Sequence, residues 1–217
     1  MLNNIEAVIF DLDGTLIDSI WVWSKINIDY LKKRNLELPE DLKENIEHLS
    51  FIDKAKYFKK RFNLNDTIEE IIEEWTSMAM YEYTHNVKLK PGVKRFIESL
   101  HSSSIKIALA TSNSRTLLEL VLKTNGIFQY FNIISTTDEA KRGKNFPDIY
   151  LLTAKKLGVE PKNCAVFEDL LPAIISAKAA GMKVFGVQEE HSDYQRQNIL
   201  DVADHFIYEY TELTRDV

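Results

Sequence analysis

The stretch Val8-Ile9-Phe10-Asp11-Leu12-Asp13-Gly14-Thr15-Leu16 decides how this chain is read. Ala7 to Phe10 is a short unbroken apolar run with β-branched members, the pattern of a strand covered on both faces. It ends in two carboxylates and a glycine. Positions two apart in extended chain point to one side, so Asp11 and Asp13 can face one small volume at the strand's carboxyl end. Two such carboxylates repel unless something compensates, and a divalent cation is the usual answer. Gly14 permits a sharp turn that turns backbone N–H groups toward a phosphate. The same residues also make an ordinary Asx turn at a strand end, and the motif by itself leaves both readings open.

Working outward, similar runs recur at Ile105–Ala110, Ile133-Ile134, Ala165–Phe167, Val184–Val187 and, more weakly, His205–Ile207. Helical stretches separate them. One opens at Lys90-Pro91-Gly92-Val93 and another at Ser114 or Arg115. A third runs from Pro147 to Gly158, and a fourth closes at Gly181, glycine being a frequent stop just past a helix. Strands alternating with helices imply βαβ units. The expected fold is α/β, a Rossmann-like parallel sheet with helices on both faces.

Residues 17–87 break the alternation. No strand is expected there. The clearest helix opens on the capping-box pattern Thr67-Ile68-Glu69-Glu70 and continues through Ile71, Ile72, Trp75 and Met78 at a 3.6-residue period. This reads as an all-helical cap inserted after the first strand, with residues 1–16 and 88–217 as the core. Its ends, Thr15–Ser19 and His85–Pro91, are the expected hinges, and a lid over the strand ends is the expected role.

The other strand ends carry weak signals of their own. Thr111-Ser112-Asn113 offers hydroxyls and a helix N-terminus to a phosphoryl group, or is a plain helix cap. Lys144 precedes the next helix and is either a phosphate ligand or a solvated lysine. Glu168 and Asp169 end a further run and can complete a magnesium site or simply form a charged loop. Four such signals at successive strand ends reinforce one another.

In this order they resemble the haloacid dehalogenase-like superfamily, in its helical-cap branch of small phosphatases and beta-phosphoglucomutase. The resemblance runs from Val8 to Met182. It implies a magnesium-dependent phosphatase acting on a small phosphate monoester. Asp11 would be the nucleophile that forms an aspartyl phosphate, and Asp13 the general acid and base. Thr111, Ser112, Asn113 and Lys144 would hold the phosphoryl group. Asp11, the Asp13 carbonyl, Glu168 and Asp169 would hold the metal, Asp169 directly. Many relatives have Ser at Leu170, Gly at Ala173 and Pro at Asn145, departures that leave every charged catalytic position filled.

The alternative on the same scaffold is a sugar-phosphate mutase. Mutases of this type carry a cap histidine near the position of Trp23 and a cap-loop arginine where this chain has Leu49-Ser50-Phe51-Ile52. Lys54, Lys56, Lys59, Lys60 and Arg61 read as a solvated helix face. An intact set of Asp11, Asp13, Thr111, Lys144 and Asp169 opposes a noncatalytic scaffold. Asp13 opposes a metal-free dehalogenase, which needs no proton donor there.

Composition narrows the partners. Among 217 residues, 33 acidic and 27 basic side chains give a net charge of −6. That excess argues against general nucleic-acid binding, which uses a basic stripe. No apolar run nears the roughly 20 residues that span a bilayer, and Asp11, Asp13 and Asp18 break up any leader-like N-terminus. The lone Cys164 suits a reducing compartment. A cytoplasmic monomer or weak homodimer acting on a small phosphorylated metabolite is expected. Trp21, Trp23, Trp75, Tyr81 and Tyr83 are expected to pack between cap helices. His48, His85, His101, His191 and His205 lack metal-ligand spacing, and Cys164 reads as a buried bystander.

Overall fold

A computed structural model of the protein describes residues 2–46 and 51–213. The chain forms two compact units, one of Met1–Ser19 with Val87–Val217 and one of Ile20–Asn86. The first opens with strands β1 (Ala7–Phe10) and β2 (Ile17–Asp18). The second contributes helices α1 (Ile20–Lys32), α2 (Leu42–Ile46), α3 (Phe51–Arg61) and α4 (Ile68–His85). The first then resumes with β3 (Lys88–Leu89), α5 (Val93–Ser102), β4 (Lys106–Thr111) and α6 (Arg115–Thr124). Next come β5 (Ile133–Thr136), α7 (Thr137–Ala140), α8 (Asp148–Leu157) and β6 (Cys164–Glu168). It ends with α9 (Leu171–Ala179), β7 (Lys183–Val187), α10 (Arg196–Val202) and β8 (His205–Ile207).

Six strands form one parallel sheet in the order β5-β4-β1-β6-β7-β8. The chain winds outward from β1 through β4 to β5, then restarts at β6 and runs out the other way. That reversal opens a crevice between the carboxyl ends of β1 and β6, the place where open parallel sheets bind ligands. Phe10 lies opposite both Leu109 and Phe167 in register. Asp11 and Glu168, the next residues, therefore reach the sheet edge at one height.

Alternation along the strands builds the two faces. On one, Phe10, Phe167 and Phe185 share a register, with neighbouring ring centroids 5.1 and 4.5 Å apart, and Phe96 of α5 and Tyr210 cover them. On the other, Ala7, Ile9, Ala108, Ala110 and Val166 pack with Ile149 and Tyr150 of α8 and Ile174 of α9. The helix signals read from sequence hold. Ser114 caps α6 by accepting from the Leu117 N–H, and Gly158, at φ 66°, closes α8.

One expectation is corrected. Residues 17–87 do contain a strand: β2 pairs antiparallel with β3, Ile17 opposite Leu89 and Asp18 opposite Lys88. Two residues are too few to show an alternating pattern, and the pairing partner is distant in sequence.

In the helical unit Trp75 is the hub. Its ring meets Tyr30, Phe58 and Phe51 at centroid distances of 5.6, 4.8 and 5.7 Å. Tyr83 is buried as well, whereas Tyr81 lies at the surface stacked on His85. The Thr67–Glu70 capping box forms at α4. Of the basic residues of α3, Lys56, Lys60 and Arg61 are exposed as a solvated face should be, whereas Lys59 is half-buried. Lys56 pairs with Asp53 and Arg61 with Asp41, while Lys59 donates to the Leu64 and Asp66 carbonyls at 3.2 and 2.5 Å. His48, Leu49 and Ser50 lie outside the described residues. Among the described residues no helix is long and apolar enough to cross a membrane. Cys164 is buried, which pushes its thiol up to about 11.

Candidate active site

The turn after β1 is folded back on itself. The Asp11 N–H donates to the Phe167 carbonyl at 3.0 Å, fixing Asp11 against β6. The Leu12 carbonyl accepts from the Leu16 and Ile17 N–H groups at 2.9 and 3.1 Å, and Gly14 takes φ 82° to allow the reversal. Asp11 and Thr15 are buried as a result.

Lys144, in the loop before α8, donates to both the Asp11 and the Glu168 carboxylates. Glu168, fully buried at the end of β6, also accepts the Tyr150 hydroxyl at 2.9 Å on Oε1. Its Oε2 accepts the N–H groups of Asp169 and Leu170 at 3.0 and 3.4 Å. Asp169 accepts the Thr15 hydroxyl at 2.9 Å on Oδ1, whereas its Oδ2 is buried with no hydrogen-bond partner. Carboxylate oxygens of Asp11, Glu168 and Asp169 all lie within 4.8 Å of one another.

Three buried carboxylates face one lysine, and the acidities of Asp11 and Asp169 register the imbalance. Burial pushes Asp11 up to about 7; Lys144 opposes the rise, and Glu168 and Asp13 add to it. Asp169 is raised well above the carboxylate range by burial and by its acidic neighbours. Burial works against the charge on Lys144, but Asp11 and Glu168 outweigh it and raise the ammonium above its ordinary value. A cluster this short of positive charge, built of hard oxygen donors around an orphaned Asp169 oxygen, fits a divalent cation.

A second set of contacts runs beside the first. Asp13 accepts the Ser19 hydroxyl at 2.6 Å and the Asn113 amide at 2.7 Å. Thr111, at the buried end of β4, accepts the Asn113 N–H at 3.0 Å. Ser112 is exposed between them. The structure thus brings Asp11, Lys144, Glu168 and Asp169 into one cluster and Thr111, Asn113 and Asp13 into another. The Asp13 carboxylate lies outside the three-carboxylate group, and Asn113, read from sequence as a phosphate ligand, has its amide on Asp13. Leu170 is 46% exposed, and its backbone N–H donates to Glu168.

The sequence assigned no place in the site to Thr15, Ser19 or Tyr150. Thr15 and Ser19 sit in or just beyond the quoted motif. Tyr150 carried one signal, a polar tip on the apolar face of a helix, which needs a buried partner.

Comparison with known proteins identifies the family of the chain. A family model described as haloacid dehalogenase-like hydrolase matches residues 8–187. The chain is 30% identical over 190 residues to a phosphorylated carbohydrates phosphatase of Thermotoga maritima, spanning 87% of this chain and 88% of that protein. It is 28% identical over 218 aligned residues to hexitol phosphatase B of Escherichia coli K12, spanning 98% and 96%. A crystal structure from Thermotoga maritima, provisionally described as a beta-phosphoglucomutase, superposes with a TM-score of 0.83 at 27% identity, covering 97% of each chain. With most of its length matched, from the β1 motif through β7, this chain belongs to the haloacid dehalogenase-like hydrolase family.

Proposed function

We propose that this chain is a magnesium-dependent phosphatase that hydrolyses a small phosphate monoester through an aspartyl phosphate on Asp11. The observation that carries the reading is the buried Asp11 carboxylate in the β1–β6 crevice, paired with Lys144 and close to the orphaned Asp169 oxygen. The names of two relatives, both phosphatases, support it.

In this mechanism an Asp11 oxygen attacks phosphorus and the ester P–O bond breaks. Asp13 gives its proton to the leaving oxygen. It then takes a proton from the water that attacks the aspartyl phosphate, releasing phosphate and restoring Asp11. Splitting one displacement into two in this way is the gain from covalent catalysis. Lys144, Thr111, Ser112 and Asn113 would hold the phosphoryl oxygens. Asp11, Asp169 and the Asp13 carbonyl would hold the metal, with Glu168 beside them. Bound magnesium would supply positive charge that lowers the repulsion between an anionic ester and an attacking carboxylate.

Residues 17–87 act in this reading as the cap that selects the substrate, and the remainder is the catalytic core. Trp23 weighs against the mutase alternative. It packs edge-on against Phe51 at 5.4 Å and offers an indole where mutases carry an imidazole. A reducing cytoplasm, which holds phosphorylated metabolites, suits the free Cys164.

The test is phosphate release from a panel of sugar phosphates, nucleotides and glycolytic acids. Activity should vanish on chelation and return with magnesium. Asp11→Asn keeps the size of the side chain and removes the attacking anion, so turnover should fall to background. If Asp11→Asn keeps most activity while Lys144→Ala does not, water attacks phosphorus directly and the nucleophile is wrongly assigned.

A further inference from the structure

We propose that Tyr150 is a positioning residue for phosphoryl transfer, anchoring Glu168 so that Lys144 stays shared with Asp11. The proposal rests on the phosphatase reading above and assigns a role to a side chain outside the acidic motifs.

Tyr150 lies in the first turn of α8, is fully buried, and packs its ring in the layer with Ile9, Ala108 and Val166. A phenylalanine would fill that space. The hydroxyl is explained by Glu168, which accepts it at 2.9 Å. A carboxylate has about four acceptor positions. Lys144 and Tyr150 occupy Oε1, and the Asp169 and Leu170 N–H groups occupy Oε2. Glu168 is thereby fixed in orientation, with three donors besides the lysine sharing its charge. Asp169, one residue on, keeps a free buried oxygen.

The consequence falls on Lys144, which touches both Glu168 and Asp11. Without the tyrosine hydroxyl, Oε1 of a buried carboxylate has the ammonium as its remaining side-chain partner. Charge-assisted hydrogen bonds are the strong ones, so Lys144 is drawn toward Glu168 and away from Asp11. The loss then appears where charge builds during transfer, in kcat, and not in uniform substrate binding.

The experiment is Tyr150→Phe in the full chain, assayed with magnesium and p-nitrophenyl phosphate, alone and combined with Glu168→Gln. The expected result is a fall in kcat of about tenfold, with KM within about twofold, the range typical of lost outer contacts at a metal site. Because Tyr150 acts through Glu168, adding Tyr150→Phe to Glu168→Gln should change kcat by less than about twofold. Fully additive losses, or an unchanged kcat in Tyr150→Phe, overturn the role. A second readout covers a Glu168→Gln variant too slow to measure: the fluorine NMR spectrum of a beryllium fluoride adduct on Asp11. Tyr150→Phe should shift at least one bound resonance, and identical spectra overturn the proposal. A wild-type protein that neither releases phosphate nor takes up the fluoride defeats the phosphatase reading and this role with it. An active wild type with an indifferent Tyr150→Phe defeats the positioning role alone.

Discussion

Asp11 and Asp13 are two residues apart yet sit in unlike surroundings. Asp11 is buried against an ammonium and two further carboxylates. Asp13 is half-buried and held by two neutral donors, the Ser19 hydroxyl and the Asn113 amide. Environments that differ in this way let paired carboxylates take different roles. Asp13→Asn keeps the backbone carbonyl and removes the proton carrier. A sugar alkoxide leaves badly without protonation, so its turnover should fall by the full ~10²–10⁴-fold of positioned acid–base catalysis. An activated aryl phosphate needs little protonation and should lose far less in its first step. Equal losses for the two substrates would remove Asp13 from the proton-transfer role. Asp11, Asp13, Glu168 and Asp169 were legible in the sequence because strand periodicity and strand ends place them, whereas Lys144 sits in the loop before α8 and was marked by the family resemblance. Thr15, Ser19 and Tyr150 were not legible, since a single hydroxyl carries no pattern. Nothing local in the sequence says that the Asn113 amide meets a carboxylate 100 residues earlier.

Elements are secured by contacts of the same kind. Just beyond α1, Arg34 donates to Asp66 at 3.0 and 3.1 Å and to Glu74 at 2.7 Å, while its guanidinium lies 3.7 Å from the centre of the Tyr30 ring. It therefore ties the end of α1 to the loop before α4 and to α4 itself. The Arg34 hydrogen bonds lower Asp66. Burial would raise Glu74, but Arg34 and Lys33 outweigh it and lower that group too. A carboxylate with a folded pKa below its unfolded value stabilises the fold above the unfolded pKa, and that contribution disappears as pH falls through the folded value. These groups are partly exposed, so the contribution is discounted to about 1 kcal/mol. Arg34→Met should cost that amount at neutral pH in urea unfolding and lose less stability than wild type on acidification to about pH 3. Parallel losses in the two proteins would show that the cluster does not couple to pH. Local rules served well at this scale for α4, α6 and α8, where a capping box, a serine cap and a closing glycine are written in adjacent residues. They failed for β2, which is too short to show alternation, and for Lys59, whose carbonyl partners lie in a loop whose path no helical period reveals.

At the scale of the whole molecule, alternating strands and helices in the sequence implied a parallel sheet but left the strand order open. Pairing β1 between β4 and β6 is a long-range choice, and it is the one that makes a crevice beside Asp11. The same topology suggests a way to separate the two units. The chain leaves the first unit after β2 and returns at β3, and these strands run antiparallel with Asp18 opposite Lys88. Directly opposed residues of this kind lie roughly 5 Å apart, a gap that a tight two-residue turn can close. The sheet, its phenylalanine ladder and the contact from Ser19 to Asp13 all belong to the first unit. A protein in which residues 20–86 are replaced by a short glycine-containing turn should therefore unfold in one cooperative transition. It should keep magnesium-dependent hydrolysis of a small aryl phosphate, because the residues proposed for the chemistry remain. If the removed unit selects the substrate, the shortened protein should lose most of the preference among sugar phosphates shown by the full chain. Broad, non-cooperative unfolding would show that the first unit depends on the second for its stability. An unaltered order of substrate preference in a well-folded shortened protein would instead place specificity in the core, in the loops that follow Asp13 and Asn113.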